Sequence, residues 1–181
     1  MGLYDLSFYD VINRNAQAFG NKICWHEFDD GRKLTFAEYK AAVDQLAAGL
    51  SLAGIHKGDR IGVVGKNSLE FYLIYGAAAC LGAIVVPINW RLSADEMSFN
   101  LSDCEPKIVF ADAEFQPALE AKRNELSFIQ SYYNLKDDSG SFNPFTSLPN
   151  EPGQSVPAEV KGTDGFVIIH TAAVAGRPRG A

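Results

Sequence analysis

Apolar positions along the chain change period repeatedly, and each change marks an element. Residues 22–28 read as a strand, Asp29-Asp30-Gly31 as a turn and Lys33-Leu34-Thr35 as the returning strand of a hairpin. Phe36, Tyr39, Val43, Leu46 and Leu50 then recur in steps of three and four, one apolar face of a helix. Thr35 and Glu38 form a capping box at its start. Gly54 stands where a left-handed cap belongs, with Ile55 as its apolar partner. Residues 60–64 make a strand, and Asn67 with Glu70 opens a second helix running to Leu81. Residues 84–86 are the next strand, Ser93 and Glu96 open a helix ending near Cys104, and residues 107–111 form a strand after Pro106. A short helix around Phe115 and Leu119, a strand over 127–133 and a buried strand over 166–169 complete the series.

The strands are short apolar runs without clean alternation, and helices separate them. This pattern predicts an α/β fold: a mostly parallel sheet covered by helices on both faces, with an N-terminal β-hairpin. Residues 71–88 carry no charge and approach the length of a membrane span. Gly82 and Pro87 interrupt them, so they read as a buried helix, a turn and a buried strand. Pro144, Pro149, Pro152 and Pro157, with Gly, Ser and Asn between them, make 136–158 a surface loop.

Composition narrows the picture. The 181 residues carry 16 Lys+Arg against 22 Asp+Glu, a net charge of −6. An acidic domain offers nucleic acid no broad basic footprint. A 47% apolar content fills a single core and excludes a disordered chain. At this mass, about 70% of the unfolded chain's surface is buried on folding. Cys24, Cys80 and Cys104 are odd in number and widely spaced, which fits a reducing compartment and a cytoplasmic protein. The first residues lack the basic start and apolar run of a signal peptide.

Two places could hold phosphate. Gly65-Lys66-Asn67-Ser68 follows a strand, but the residue five before Gly65 is Arg60 and Lys66 is followed by Asn67. A nucleotide P-loop needs Gly and Ser or Thr at those places, so the segment reads as a tight turn with Asn67 as helix cap. The second place is 170–181, a small-residue segment with Arg177 and Arg179 after a strand. Small side chains admit backbone N–H groups to an anion and arginine adds charge. By itself the segment reads rather as a strand-to-turn loop with no ligand than as a phosphate site.

The chain as a whole resembles the N-terminal part of the acid-adenylating superfamily: acyl-CoA synthetases, luciferases and peptide-synthetase adenylation domains. The resemblance runs from about Leu6 to Ala181. It rests on Leu34-Thr35-Phe36-Ala37-Glu38-Tyr39, Leu46-Ala47-Ala48-Gly49-Leu50, Lys57-Gly58-Asp59-Arg60-Ile61, Asn67-Ser68-Leu69-Glu70-Phe71, Leu81 to Asn89, and Arg91-Leu92, in the family's order and spacing. It implies that residues 1–181 are part of a larger N-terminal adenylate-forming domain, with 170–181 at the position of the loop that holds the ATP phosphates. In the family that loop reads Tyr-Thr-Ser-Gly-Thr-Thr-Gly-x-Pro-Lys-Gly. Here Thr171, Gly176, Pro178 and Gly180 match it, while Ala172, Ala173, Val174, Ala175 and Arg179 depart from it and His170 replaces the aromatic.

Three hydroxyl donors are thereby absent. Each hydrogen bond to a charged group is worth about 1.5–3 kcal/mol, a tenfold to hundredfold change in affinity. The loop therefore either binds phosphate through backbone and arginine or binds ATP poorly. The resemblance implies ATP, Mg²⁺ and CoA as cofactors, a fatty or other apolar carboxylic acid as substrate, and Thr171, Gly176 and Arg179 as ATP-phosphate residues. Arg91 would approach a phosphate of CoA, or else is a solvated arginine at a helix entrance. The family's metal-binding acid and adenylating lysine lie beyond the phosphate loop. No catalytic or metal-binding residue is therefore expected here, and the chain by itself is expected to be inactive. The rival expectation is a catalytically silent homologue that binds an acyl ligand or a partner.

Overall fold

The computed structural model describes residues 6–136, 139–148, 157–171 and 179–181. Its element order is α1 (Phe8–Phe19), β1 (Ile23–His26), β2 (Lys33–Thr35), α2 (Phe36–Leu52), β3 (Arg60–Val64), α3 (Leu69–Leu81), β4 (Ile84–Ile88), α4 (Ala94–Cys104), β5 (Ile108–Ala111), α5 (Gln116–Glu120) and β6 (Ser131–Asn134), with short 3-10 turns at Ala113–Phe115 and Phe145–Ser147. β1 and β2 form the expected antiparallel hairpin. The other four strands form a parallel sheet in the order β4-β3-β5-β6.

Alternation along the strands divides the core between the two faces of this sheet. Ile61 and Val63 of β3 and Ile108 and Phe110 of β5 meet α1, α2 and α3 on one face. Val64, Val109 and Ala111 meet α4, α5 and Leu126 on the other. The expected helical face of α2 is in place: Tyr39, Val43, Leu46 and Leu50 are buried. At its end the Ile55 N–H donates to the Leu50 carbonyl and the Gly54 N–H to that of Ser51, with Gly54 at φ 90°. This is the Schellman arrangement that the Gly-Ile pair signals.

Four points differ from the sequence reading. α1 went unpredicted: Ser7 caps it with Asp10, not Glu or Gln, as the reciprocal partner, which hides the usual box. α3 is capped by Ser68 rather than Asn67, and Glu70 is no box partner. Its carboxylate instead accepts from Arg32 at 2.5 Å, across from the hairpin. The strand expected over 127–133 begins only at Ser131, because the chain first turns at 123–129 through N–H donations from Leu126 to Arg123 and from Ile129 to Leu126.

The fourth correction concerns 166–169. The segment is a half-buried edge rather than a buried strand, pairing with β4 only around Val167. Val85 N–H donates to the Phe166 carbonyl and Ile168 N–H to that of Val85, while Ile169 remains 54% exposed. Beyond β6, most described residues of the expected surface loop are exposed, with Phe142 and Leu148 buried as anchors and the Gln116 side chain accepting from the Ser141 and Phe142 N–H groups.

Candidate functional site

In open parallel sheets, ligands settle at the carboxyl ends of the strands. Here that end opens into a cleft of about 1130 Å³, built from the turn after β3 (Gly65 to Ser68), the segment after β4 (Ile88 to Leu92), one side of α3 (Phe71, Tyr72, Tyr75), Trp25 of the hairpin and 169–171.

Local chemistry fixes each wall. Gly65 is buried, and the turn after it is held by the Lys66 N–H donating to Asp112 Oδ2 at 2.8 Å. The Asp112 carboxyl is held above its ordinary range by burial, and nearby Glu114 adds to this; the Lys66 N–H and the Lys136 charge oppose it. The first N–H groups of α3 are already engaged. Leu69 donates to Glu27 Oε2 at 2.8 Å and Phe71 to Ser68 Oγ at 3.2 Å. These partners leave the Gly65-Lys66-Asn67-Ser68 turn as a structural joint, in keeping with its lack of P-loop spacing.

After β4, Asn89 Oδ1 accepts from the Arg91 N–H at 3.0 Å, a side-chain turn that presents both Trp90 and Arg91. Trp90 stacks on Phe115 at 5.8 Å between ring centres. The Arg91 guanidinium lies 4.1 Å from the Trp90 ring centre and Lys66 Nζ lies 5.3 Å from it. Lys66 is also paired with Glu114 at 2.7 Å, whereas Arg91 has no acidic partner among the described residues. The opposite wall is aromatic. Trp25 stacks on Tyr72 at 4.9 Å, and its Nε1–H is buried with no hydrogen-bond partner among the described residues. Phe71, Tyr72 and Tyr75, expected as a core face, pack against the core and also face the cleft.

Of the residues expected to bind ATP or CoA, Arg91 and Thr171 line this one cleft. Arg179 is exposed and joined to Thr171 through the backbone: the Thr171 N–H donates to the Arg179 carbonyl at 3.1 Å. Ile169 and Ala181 exchange N–H donations at 2.9 and 3.1 Å, so 169–171 and 179–181 form an antiparallel stem. Gly176 lies outside the described residues. His170, to which no role was assigned, turns away from solvent: its side chain is 4% exposed and its Nε2 lies 3.1 Å from Asp103 Oδ2. The aromatic wall and the His170 contact were hidden because both depend on pairing between distant segments. Trp25 precedes Tyr72 by 47 positions, and Asp103 precedes His170 by 67.

The cleft suits an anionic, partly apolar ligand. It has two cationic side chains on one wall, aromatic rings on the other and a buried indole donor that has no partner among the described residues. Among the described residues, no helix is long and apolar enough to cross a membrane.

Comparison with known proteins agrees with this reading. Residues 12–181 match the family described as AMP-binding enzyme. The chain is 34% identical over 148 residues to long-chain-fatty-acid–CoA ligase FadD13 of Mycobacterium tuberculosis, covering 82% of this chain and 29% of that protein. It is 29% identical over 152 residues to indoleacetate–CoA ligase of Aromatoleum aromaticum, covering 83% of this chain and 30% of that protein. A solved structure of a proposed long-chain-fatty-acid CoA ligase from Rhodopseudomonas palustris CGA009 superposes with a TM-score of 0.88 at 40% identity, over 99% of this chain and 44% of that one. The chain thus spans about three tenths of the length of these curated relatives. Its strand order, its cleft and its sequence together make it a member of the AMP-binding enzyme family.

Proposed function

We propose that this chain supplies the first part of an AMP-forming acid–thiol ligase. In the whole protein, a fatty or other apolar carboxylate attacks the α-phosphorus of ATP and pyrophosphate leaves. The thiol of CoA then attacks the acyl carbon and AMP leaves. The observation that carries this reading is that 169–171, paired with 179–181 in a stem, line the same cleft as Arg91.

In this reading Thr171 and Arg179, with Gly176, hold the ATP phosphates. Arg179 contributes positive charge and a planar fork of donors, which suits phosphate oxygens. Arg91, propped on Trp90 and free of acidic partners among the described residues, takes a phosphate of CoA. Mg²⁺ would offset phosphate charge, and no carboxylate of this chain is assigned to it. Cys24, Cys80 and Cys104 form no disulfide with one another, in keeping with a cytoplasmic setting.

The test is acid-dependent pyrophosphate release by the intact protein with ATP, Mg²⁺ and a long-chain fatty acid, followed by CoA-dependent AMP release. The 181-residue chain alone is expected to give neither. Ala172, Val174 and Ala175, which remove three hydroxyls, favour a second reading: a silent homologue that binds an acyl ligand or a partner. Absence of ATP binding at millimolar concentration in the intact protein would decide for it. If Arg91 meets CoA, Arg91→Ala raises the KM for CoA about tenfold or more, the worth of a charged hydrogen bond, while kcat holds. An unchanged KM dismisses the contact.

A further inference from the structure

We infer that Asp103, Cys104 and His170 form a zinc-binding site that ties the half-buried segment leading into the phosphate-loop-like region to the end of α4. His170 Nε2 lies 3.1 Å from Asp103 Oδ2 and 3.8 Å from Cys104 Sγ, and the three candidate ligand atoms all fall within 4.8 Å of one another. Tetrahedral zinc with ordinary bond lengths places a nitrogen and an oxygen ligand ~3.4 Å apart and a nitrogen and a sulfur ligand ~3.6 Å apart. The two histidine separations differ from these by a few tenths of an ångström, and the carboxylate and thiol, within 4.8 Å of each other, close on an ion by rotation of the exposed Asp103 side chain.

The donor set is selective. A thiolate, an imidazole and a carboxylate together suit zinc and disfavour Mg²⁺ and Ca²⁺, which take oxygen ligands. Two anionic ligands also balance the charge of a divalent ion. Beside them lies a hollow of about 380 Å³, bordered by Asp103, Cys104, Ile168 and Gly180, with room for water as fourth ligand. The backbone is fixed on the helix side. The Arg60 guanidinium donates to the Cys104 carbonyl at 2.6 Å and to that of Glu105 at 2.9 Å, holding the last turn of α4 where Asp103 and Cys104 stand. The His170 Nδ1 is buried and has no hydrogen-bond partner among the described residues. Among the described residues the ring thus has no outer acceptor of the kind that usually fixes a zinc histidine, a contact typically worth about 10–100-fold in affinity.

The competing account is a plain His–Asp hydrogen bond beside a buried thiol. Cobalt separates the two. The intact protein, stripped of metal, is titrated with Co²⁺ under reducing conditions. One equivalent is expected to raise a thiolate-to-cobalt charge-transfer band in the near ultraviolet, with visible bands of tetrahedral intensity. Added Zn²⁺ should abolish both, and Cys104→Ser and His170→Tyr should lose them. His170→Tyr keeps an aromatic ring at the packed position. Should either variant fail to fold by circular dichroism, Asp103→Asn decides; Asp103 is exposed, and its loss is expected to weaken cobalt binding at least tenfold. Absence of the band in the folded protein, or its survival at full strength in these variants, overturns the site.

Discussion

Gly65 lines the cleft with Asp112 packed beside it, and each is set by its neighbour. A Cβ on Gly65 would be driven into Leu135 Cδ2 and would stand 3.0 Å from Asp112 Oδ2. Gly65→Ala is therefore expected to destabilise the fold by about 1–3 kcal/mol, the usual effect of overpacking, seen as a lower urea midpoint. Asp112 tests the electrostatics of the same place. Its folded pKa is raised, so the unfolded chain holds its proton less tightly than the native one does, and ionisation opposes folding above the native pKa. Asp112→Asn should be more stable than the parent at about pH 7. Its advantage should shrink as pH falls through the raised pKa and vanish below the ordinary carboxylate value of about 3.9. Urea denaturation across that range reads the difference, and a constant or inverted gap would remove the desolvation account. At this scale the sequence was readable only in part. Gly65 is visible as a turn residue, but its contact with Leu135, 70 positions away, is not.

Among the elements, α3 is the most informative. Asn67 and Ser68 are both good caps, and Glu70 stands three residues after Asn67, which favours Asn67 on local grounds. The structure selects Ser68 because Glu27 and Arg32 of the hairpin take over the rest of the helix start, Glu27 by receiving the Leu69 N–H and Arg32 by pairing with Glu70. Ser68→Ala should accordingly cost ~1 kcal/mol, while Asn67→Ala should change stability by only a few tenths. Thermal unfolding of the two variants side by side checks the assignment. The boxes at Thr35/Glu38 and Ser93/Glu96 were legible because their reciprocal bonds are purely local. α1 shows the opposite limit, since Asp10 can close a box that the usual Glu or Gln pattern does not include.

For the molecule as a whole, layer order and sheet direction were readable because short apolar runs between helices admit few arrangements other than a doubly covered parallel sheet. The cleft was not readable, for it exists only where β1, α3, β4 and the 169–171 stem converge. That convergence has an optical result. The chain contains two tryptophans, and both Trp25 and Trp90 line the cleft, one on its aromatic wall and one beneath Arg91. Native ultraviolet emission from this polypeptide is thus a built-in gauge of cleft occupancy, with no label required. Adding a nucleotide or an acyl compound that enters should alter intensity or wavelength, and single Trp→Phe replacements should divide the signal into an apolar-wall channel and a cation-wall channel. If titration with a bound ligand leaves both channels dark to the change, the ligand sits somewhere else on the surface.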